Sequence, residues 1–554
     1  MYGMVPQRWS GNYYEQTQTV FGGYDHREAA PDGSLYDTCN MSTARYPALT
    51  VRPRRGAVTT VQKPNGFFAR DCLVWVDGTK LVVDGQEVAE LTDSRKHIAG
   101  IQKKICIWPD KVIYDRETGE LTQMEAVWEG EGAFGDGTLA GEPALANTIT
   151  VAGDLTGLFR AGDGVAVTCT ASSEQKTMGA YVIREIEYIG EVEDVVVDKT
   201  ALRFSDETWR ELMPETAAAA DDGEANPFPS VGFKTSIRIQ RRAPELQGVF
   251  EHHNRLWGWH GATICCCKLG DPTNWESFGG DATDSWELTT GSPGCFTGGI
   301  SYGGRPVLFK ENRIIRIYGD YPGQYSTSET ESLGVEAGSG QSLAIAGDTL
   351  FYKSPDGIMA YSGGYPYSVG DVFGQVRYRN AVAGSDGRKY YVAMEDYAGD
   401  SWMFVYDTRY RLWHREDADQ MLGIGWCGEL YALQEAGFLV ALGEPRTHMD
   451  GEPGVDSLVE FSDFTDGSTR KKEASRIVLR LELEEHTTLD IFVRYDSAGE
   501  WLPLRRLEGG LVKGQVEIPI ALRRCDHYRL RFSGYGGWTL YALTRERRTG
   551  SNRR

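Results

Sequence analysis

A chain of 554 residues with 41% hydrophobic and 11% aromatic content has enough apolar material for real cores, which confines disorder to a minority of its length. Its 58 basic against 79 acidic side chains leave a formal net charge of −21, so the average surface repels phosphate backbones and anionic membranes, and sequence-specific nucleic-acid binding is disfavoured. The 66 glycines and the scarcity of long 3.6-residue periods point to an all-β protein rich in turns, and no apolar run reaches membrane-spanning length.

Residues 1–55, rich in Gly, Pro and Tyr, read as an N-terminal arm of irregular coil tied down by Tyr36, Tyr46, Leu49 and Val51. Strands begin in 56–140. There CLVWVDGTKLVVDGQEVAEL carries Asp77-Gly78 and Asp84-Gly85, which favour tight type I′ hairpins because Gly tolerates positive φ. The next unit turns at Pro109-Asp110 and Thr118-Gly119. GEGAFGDG (130–137) matches GxGxxG by letter only. No helix-forming run follows it and Glu129 and Glu131 would repel a pyrophosphate, so a linker is the better reading.

Residues 141–232 change texture. NTITVAG, GDGVAVTCT, AYVIREIEYI and ALRF form a run of strands that reads as a small inserted β-barrel, and TWRELMPETAAAADDGEANPFPS reads as a short helix and a return linker. The body resumes in 233–450, where short apolar runs (RLWGW, ATICCC, PVLFK, RIIRIYG) each close on Gly, Asp, Asn or Pro, the pattern of β-meanders. A meander cannot bury both faces alone, and the radial solution is a β-propeller, here of about seven blades. Residues 455–546 alternate apolar and polar at period two in Ile477–Leu483, Leu489–Tyr495, Gln515–Leu522, His527–Gly534 and Trp538–Arg545, a C-terminal β-sandwich. A basic tail, 547–554, closes the chain and could dock on the acidic surface of a neighbouring copy.

The ten cysteines lack CxxC spacing. Cys265, Cys266 and Cys267 alternate across a strand, so adjacent members point to opposite faces, and reduced, mostly buried thiols are expected. The opening MYGMVPQRWSG has neither the basic nor the apolar region of a standard secretion signal, so a soluble chain made in the cytoplasm is expected.

Chemistry is sparse. The histidines show no HxH or HExxH spacing, and on a strand His252 and His253 would face opposite ways, so a metal shared with His260 is not expected. GFKTS at Gly232 only echoes a phosphate loop, and no GxSxG elbow is present. A glycosidase needs two carboxylates close together. The candidates Asp271, Asp281, Asp284, Asp396 and Glu416 all read as turn residues, where capping of the backbone is the default. No catalytic, cofactor-binding or metal residue is assigned, no cofactor is expected, and the chain is expected not to be an enzyme.

NRLWGWHG followed by KLGDPTNWESF, then GGRPVLFKENRIIRIYGDYP, FYKSPDGIMAYSGGYP and FVYDTRYRLWHRED, with CNMSTARYPALTVRPRRG near the start, resembles the propeller body of tailed-bacteriophage and prophage tail proteins of the tail-nozzle or packaged-DNA stabilisation type. The resemblance runs from about Leu35 to Glu444 and rests on packing and turn motifs. It implies a structural virion protein of the tail, in such proteins commonly a ring of six subunits around the DNA channel. Its implied partners are the portal, adaptor or other tail proteins and passing double-stranded DNA, with no membrane anchor. An acidic lumen would let DNA slide. The alternative is a glycan-binding or glycan-cleaving propeller at a tail tip, supported by 14 Trp and 28 Tyr that can stack on sugars, although Trp75, Trp257, Trp259, Trp402 and Trp413 sit in strand runs and read as core. An enzyme or lectin should show a concave face with paired carboxylates under exposed aromatics, whereas a tail ring should show broad side-to-side interfaces and a charged lumen.

Overall fold

A computed structural model describes residues 13–28, 30–134, 148–169, 176–192, 195–205, 233–443, 447, 451–465, 467, 471–497, 499–520 and 524–548. The expected linker at 130–137 is instead strand as far as Phe134, where its backbone pairs across the sheet with Phe233–Arg241; its remainder, the expected short helix and return linker at 208–230, and the tail beyond Arg548 lie outside these residues. The fold is all-β: a propeller of four-stranded blades, an inserted barrel-like domain and a C-terminal sandwich, as the sequence indicates. Among the described residues seven four-stranded antiparallel sheets span 64–90, 97–123, 248–289, 298–331, 344–368, 378–417 and 421–442, and are called blades 1 to 7 in that order. Six are meanders of consecutive strands. Blade 7 takes its outermost strand, Gly56–Thr60, from far upstream, paired antiparallel with Phe438–Leu442.

Burial follows position in the blade. In blade 4 the second strand, Arg305–Lys310, is buried almost throughout, while the fourth, Ser326–Glu331, is mostly exposed. The β-branched and aromatic runs therefore occupy the middle strands, and polar sequence such as STSETE is left for the rim. Turn chemistry sets the joints. Asp84 and Gly85 both take positive φ, 48° and 84°, as a type I′ turn requires. At Asp77-Gly78 only the glycine does, at 61°, so that hairpin is not of the expected type.

The chain forms two compact units, 1–78 with 82–85 and 333–554, and 79–81 with 86–332. In the second unit the first strands of blades 2, 3 and 4, His97–Ile101, Gly248–His252 and Gly298–Tyr302, pack side by side. They approach closely enough that a Cβ on Gly299 would stand 2.8 Å from the Phe250 ring. The inserted domain is a seven-stranded antiparallel sheet that includes Ala126–Phe134 and Phe233–Arg241 beside the five strands between them. One core gathers residues from both ends of that sheet, among them Val165, Val167, Tyr181, Ile183 and Leu202, which gives it the character of a barrel.

In the first unit the same packing joins the first strands of blades 5, 6, 7 and 1. A Cβ on Gly384 of blade 6 would lie 2.6 Å from the Ile424 side chain of blade 7. The sandwich pairs two sheets over a core of Leu479, Leu481, Ile491, Val493, Leu530, Phe532 and Leu540. Two of its strands, Asp456–Phe461 and Leu502–Glu508, were not among the expected ones. The N-terminal arm departs from the expected coil: Leu35–Cys39 pairs with Asp456–Phe461, and Leu49–Val51 with Trp538–Arg548. Leu35, Met41, Leu49 and Val51 are buried in the sandwich core, and that burial, rather than any local period, makes these segments strands.

Candidate functional site

The sequence-derived carboxylates do not converge. Asp271 accepts the backbone N–H and hydroxyl of Thr273 at 3.1 and 2.6 Å, and Asp396 accepts the N–H groups of Ala398 and Asp400 at 2.8 and 3.0 Å. Asp284 is buried and accepts Ser277 Oγ and the Asp281 N–H, both at 2.9 Å. Asp281 is exposed and pairs with Arg184 at 3.2 Å. Asp271, Asp284 and Asp396 thus bond within their own turns, as expected, whereas the Asp281 side chain is taken by a cation. Glu416 does not: it lies in the last strand of blade 6, Leu412–Asp417, and is buried.

Glu416 borders a cleft of about 210 Å³ between blades 6 and 7 in the first unit. The N-terminal segment supplies Ser42, Arg52 and Arg55; the first hairpin of blade 6 supplies Asp386, Arg388, Lys389 and Tyr391; the first hairpin of blade 7 supplies Trp426 and Glu429. Most of the charge is spent inside the protein. Arg55 binds Glu416 at 3.0 Å, and the fully buried Arg52 reaches Glu452 at 2.7 Å, Asp417 at 3.1 Å and Glu416 at 3.6 Å. Burial alone would raise the carboxyls of Asp417 and Glu452, but the two guanidinium groups outweigh it and hold both below the ordinary range. Arg388 is spent on Asp407 at 3.0 Å, and Asp407 also accepts Thr43 Oγ1 at 2.5 Å.

Two charged groups of the cleft remain unspent. Asp386 Oδ1 accepts the N–H groups of Arg388 and Lys389 at 2.9 and 2.6 Å, and its Oδ2 meets Tyr391 Oη at 3.3 Å, but among the described residues it faces no cation at ion-pair distance. Lys389 lowers the pKa of Asp407 through its charge, yet forms no ion pair among the described residues. At the rim stands Trp426, 44% exposed. A carboxylate acceptor, an ammonium donor and an uncovered indole thus share one concavity. Sequence reasoning missed Asp386, Lys389 and Trp426 because each sits in an unremarkable hairpin and only blade packing brings them together.

The histidines differ from expectation. His253 takes φ 48° in the turn after Gly248–His252, so its ring stacks on His252 at 3.9 Å instead of facing away. His252 Nδ1 lies 2.8 Å from Ser301 Oγ. In the sandwich, Asp496, Asp526 and His527 bring one potential ligand atom each within 4.8 Å. Both His527 nitrogens are already engaged, Nδ1 by Asp526 at 2.6 Å and Nε2 by Ser497 Oγ at 2.8 Å. Cys265, Cys266 and Cys267 are free and buried, and alternate as expected: Cys265 and Cys267 join one core and Cys266 another.

No protein-family profile matches the chain. No curated protein matches it either. Among solved structures, an exo-beta-1,3-galactanase from Phanerochaete chrysosporium with galactose matches at 9% identity and TM-score 0.21, covering 54% of this chain and 95% of the enzyme. A glycoside hydrolase family 43 arabinoxylan arabinofuranohydrolase from Bacillus subtilis in complex with cellotetraose matches at 9% identity and TM-score 0.18, covering 52% and 76%. A likeness of this size carries nothing about substrate or mechanism. The structures it finds are nonetheless enzymes, and the expectation that this chain is not one is withdrawn on that finding.

Proposed function

We propose that the chain is a glycan-recognising β-propeller protein, with the cleft between blades 6 and 7 as its sugar site. The observation that carries the reading is the union of the exposed Trp426 with the unspent Asp386 and Lys389. An indole face packs on the apolar face of a pyranose, while a carboxylate and an ammonium bond its hydroxyls. The ionic clamp of Arg52, Arg55 and Glu416 holds the cleft wall rigid, which lowers the entropy lost on binding. Cleavage is the enzymatic form of the same reading, and Asp386 is then the first carboxylate to test. The experiment is a panel of neutral and acidic oligosaccharides measured by calorimetry, with reducing ends followed in parallel. Trp426→Ala is expected to weaken binding by about tenfold or more, and Asp386→Asn to weaken it and to remove any hydrolysis. A panel on which nothing binds, or binding unmoved by both variants, refutes the reading.

A second reading, a component of a phage tail, is supported by the propeller-body resemblance and accommodates a glycan site used in host recognition. Its implied ring, tail partners and place in the virion are tested by labelling the protein and locating the label on particles by electron microscopy. Absence of label from every particle refutes it.

A further inference from the structure

We infer that a second site, an open groove in the second unit, binds an extended cationic peptide segment of a partner protein. The groove, about 590 Å³, runs between the outermost strand of blade 3, Trp286–Thr289, and the turn at Pro322 and Gly323 that leads to the outermost strand of blade 4. Its apolar surface is aromatic: Phe278 is 49% exposed, and Trp286 is backed by Trp257 and Tyr325 with ring centroids 5.8 and 5.5 Å away.

Charge selects the occupant. Among the described residues the lining holds three carboxylates and no Lys, Arg or His. Asp284 is consumed by Ser277 and the backbone, and Asp281 by Arg184, but Glu287 is exposed and makes no ion pair among the described residues. One uncompensated carboxylate beside aromatic faces is the environment that holds an alkylammonium or guanidinium group, by ion pairing and by cation–π attraction.

The backbone selects an extended chain. Among the described residues Trp286–Thr289 pairs only with Thr263–Cys266, in the register Thr263↔Thr289 and Ile264↔Leu288. The Thr290 N–H donates to the Ala262 carbonyl, so by antiparallel alternation the N–H and C=O groups of Glu287 and Thr289 point away from the sheet. A peptide strand added there would satisfy them. Its side chains two residues apart would face the same side, which favours cationic residues at every second position, one of them opposite Glu287. The cleft of the proposed sugar site differs on both counts, being rich in cations and bounded by hairpin turns.

The test uses the full chain and two fluorescently labelled six-residue peptides, one alternating lysine with valine and one alternating glutamate with valine, read by fluorescence polarisation. The lysine peptide is expected to bind and the glutamate peptide not. Glu287→Lys should weaken the lysine peptide by about tenfold or more. Because substitutions at Trp286 would disturb the aromatic cluster, the exposed Phe278→Ala is the second variant, and it too should lower affinity. Equal binding of both peptides, no binding of the lysine peptide, or affinity unchanged in both variants overturns the inference. Oligosaccharide binding by the same protein is measured alongside, since it reports on the other site alone.

Discussion

His414 in blade 6 offers a quantitative test of the packing described above. It is 4% exposed, and neither ring nitrogen has a hydrogen-bond partner among the described residues. Burial first, and the charge of Lys389 second, depress its pKa from 6.5 to about 4, against a smaller opposing pull from Asp407. The sign follows from linkage. Between pH 6.5 and 4 the unfolded chain binds a proton that the native state refuses, so this group's contribution is fully present above about pH 6.5, is lost as pH falls towards 4, and levels off below. With those two pKa values the loss between pH 7 and pH 4.5 is on the order of 2.5 kcal/mol, at 1.36 kcal/mol per unit. His414→Leu keeps a similar volume and removes both the unpartnered nitrogens and the titration, so it should be neutral or stabilising at pH 7. At pH 4.5 it should exceed the wild type by roughly 2 to 3 kcal/mol more than at pH 7. Urea unfolding of both proteins at the two pH values, followed by far-ultraviolet circular dichroism, measures that double difference, from which every other titrating group cancels. A gap between variant and wild type that is equal at pH 7 and pH 4.5 refutes the assignment of His414 as a neutral buried imidazole.

Other expectations are as direct. Gly384→Val would drive a side chain into Ile424, whose side chain and carbonyl stand 2.6 and 2.9 Å from the added Cβ, and should cost about 1–3 kcal/mol or more in thermal unfolding. Arg52→Ala leaves Glu452, Asp417 and Glu416 without their shared cation and should cost about 3–5 kcal/mol, whereas Arg45→Ala, at a half-exposed pair with Glu482, should cost well under 1 kcal/mol in the same assay. Burial pushes the Cys266 thiol up to about 12, and Cys265 and Cys267 are raised as well, so a thiol reagent should label the exposed Cys295 in the native protein and reach Cys265–Cys267 only with denaturant. Rapid native labelling of all four would place the cysteine run outside the core.

Much of the architecture is legible in the residues themselves. Period-two alternation in Ile477–Leu483 and Leu489–Tyr495 places strands at Lys472–Leu483 and Thr488–Tyr495, because a half-buried sheet writes its two faces into neighbouring positions. Short apolar runs closed by Gly and Asp give the blade count for the same local reason. Segments that become strands only through a distant partner leave no such trace. Leu35–Cys39 and Leu49–Val51 depend on strands more than 400 residues away, and blade 7 is completed by Gly56–Thr60.

The candidate sites were the least legible part, and the reason is geometric. Glu416 was visible as a carboxylate, but its burial between Arg52 and Arg55 follows from the N-terminal segment crossing the end of blade 6. Asp386, Lys389 and Trp426 come from two blades, and Phe278, Glu287 and Pro322 from three different connections and strands. Composition and local period decided the strands of the blades and most of those of the sandwich, because burial of one face acts between residues i and i+2. Which charges stay uncompensated, which indole stays uncovered and which strand edge stays open were decided only by tertiary packing, because each depends on what residues hundreds of positions apart leave unsatisfied.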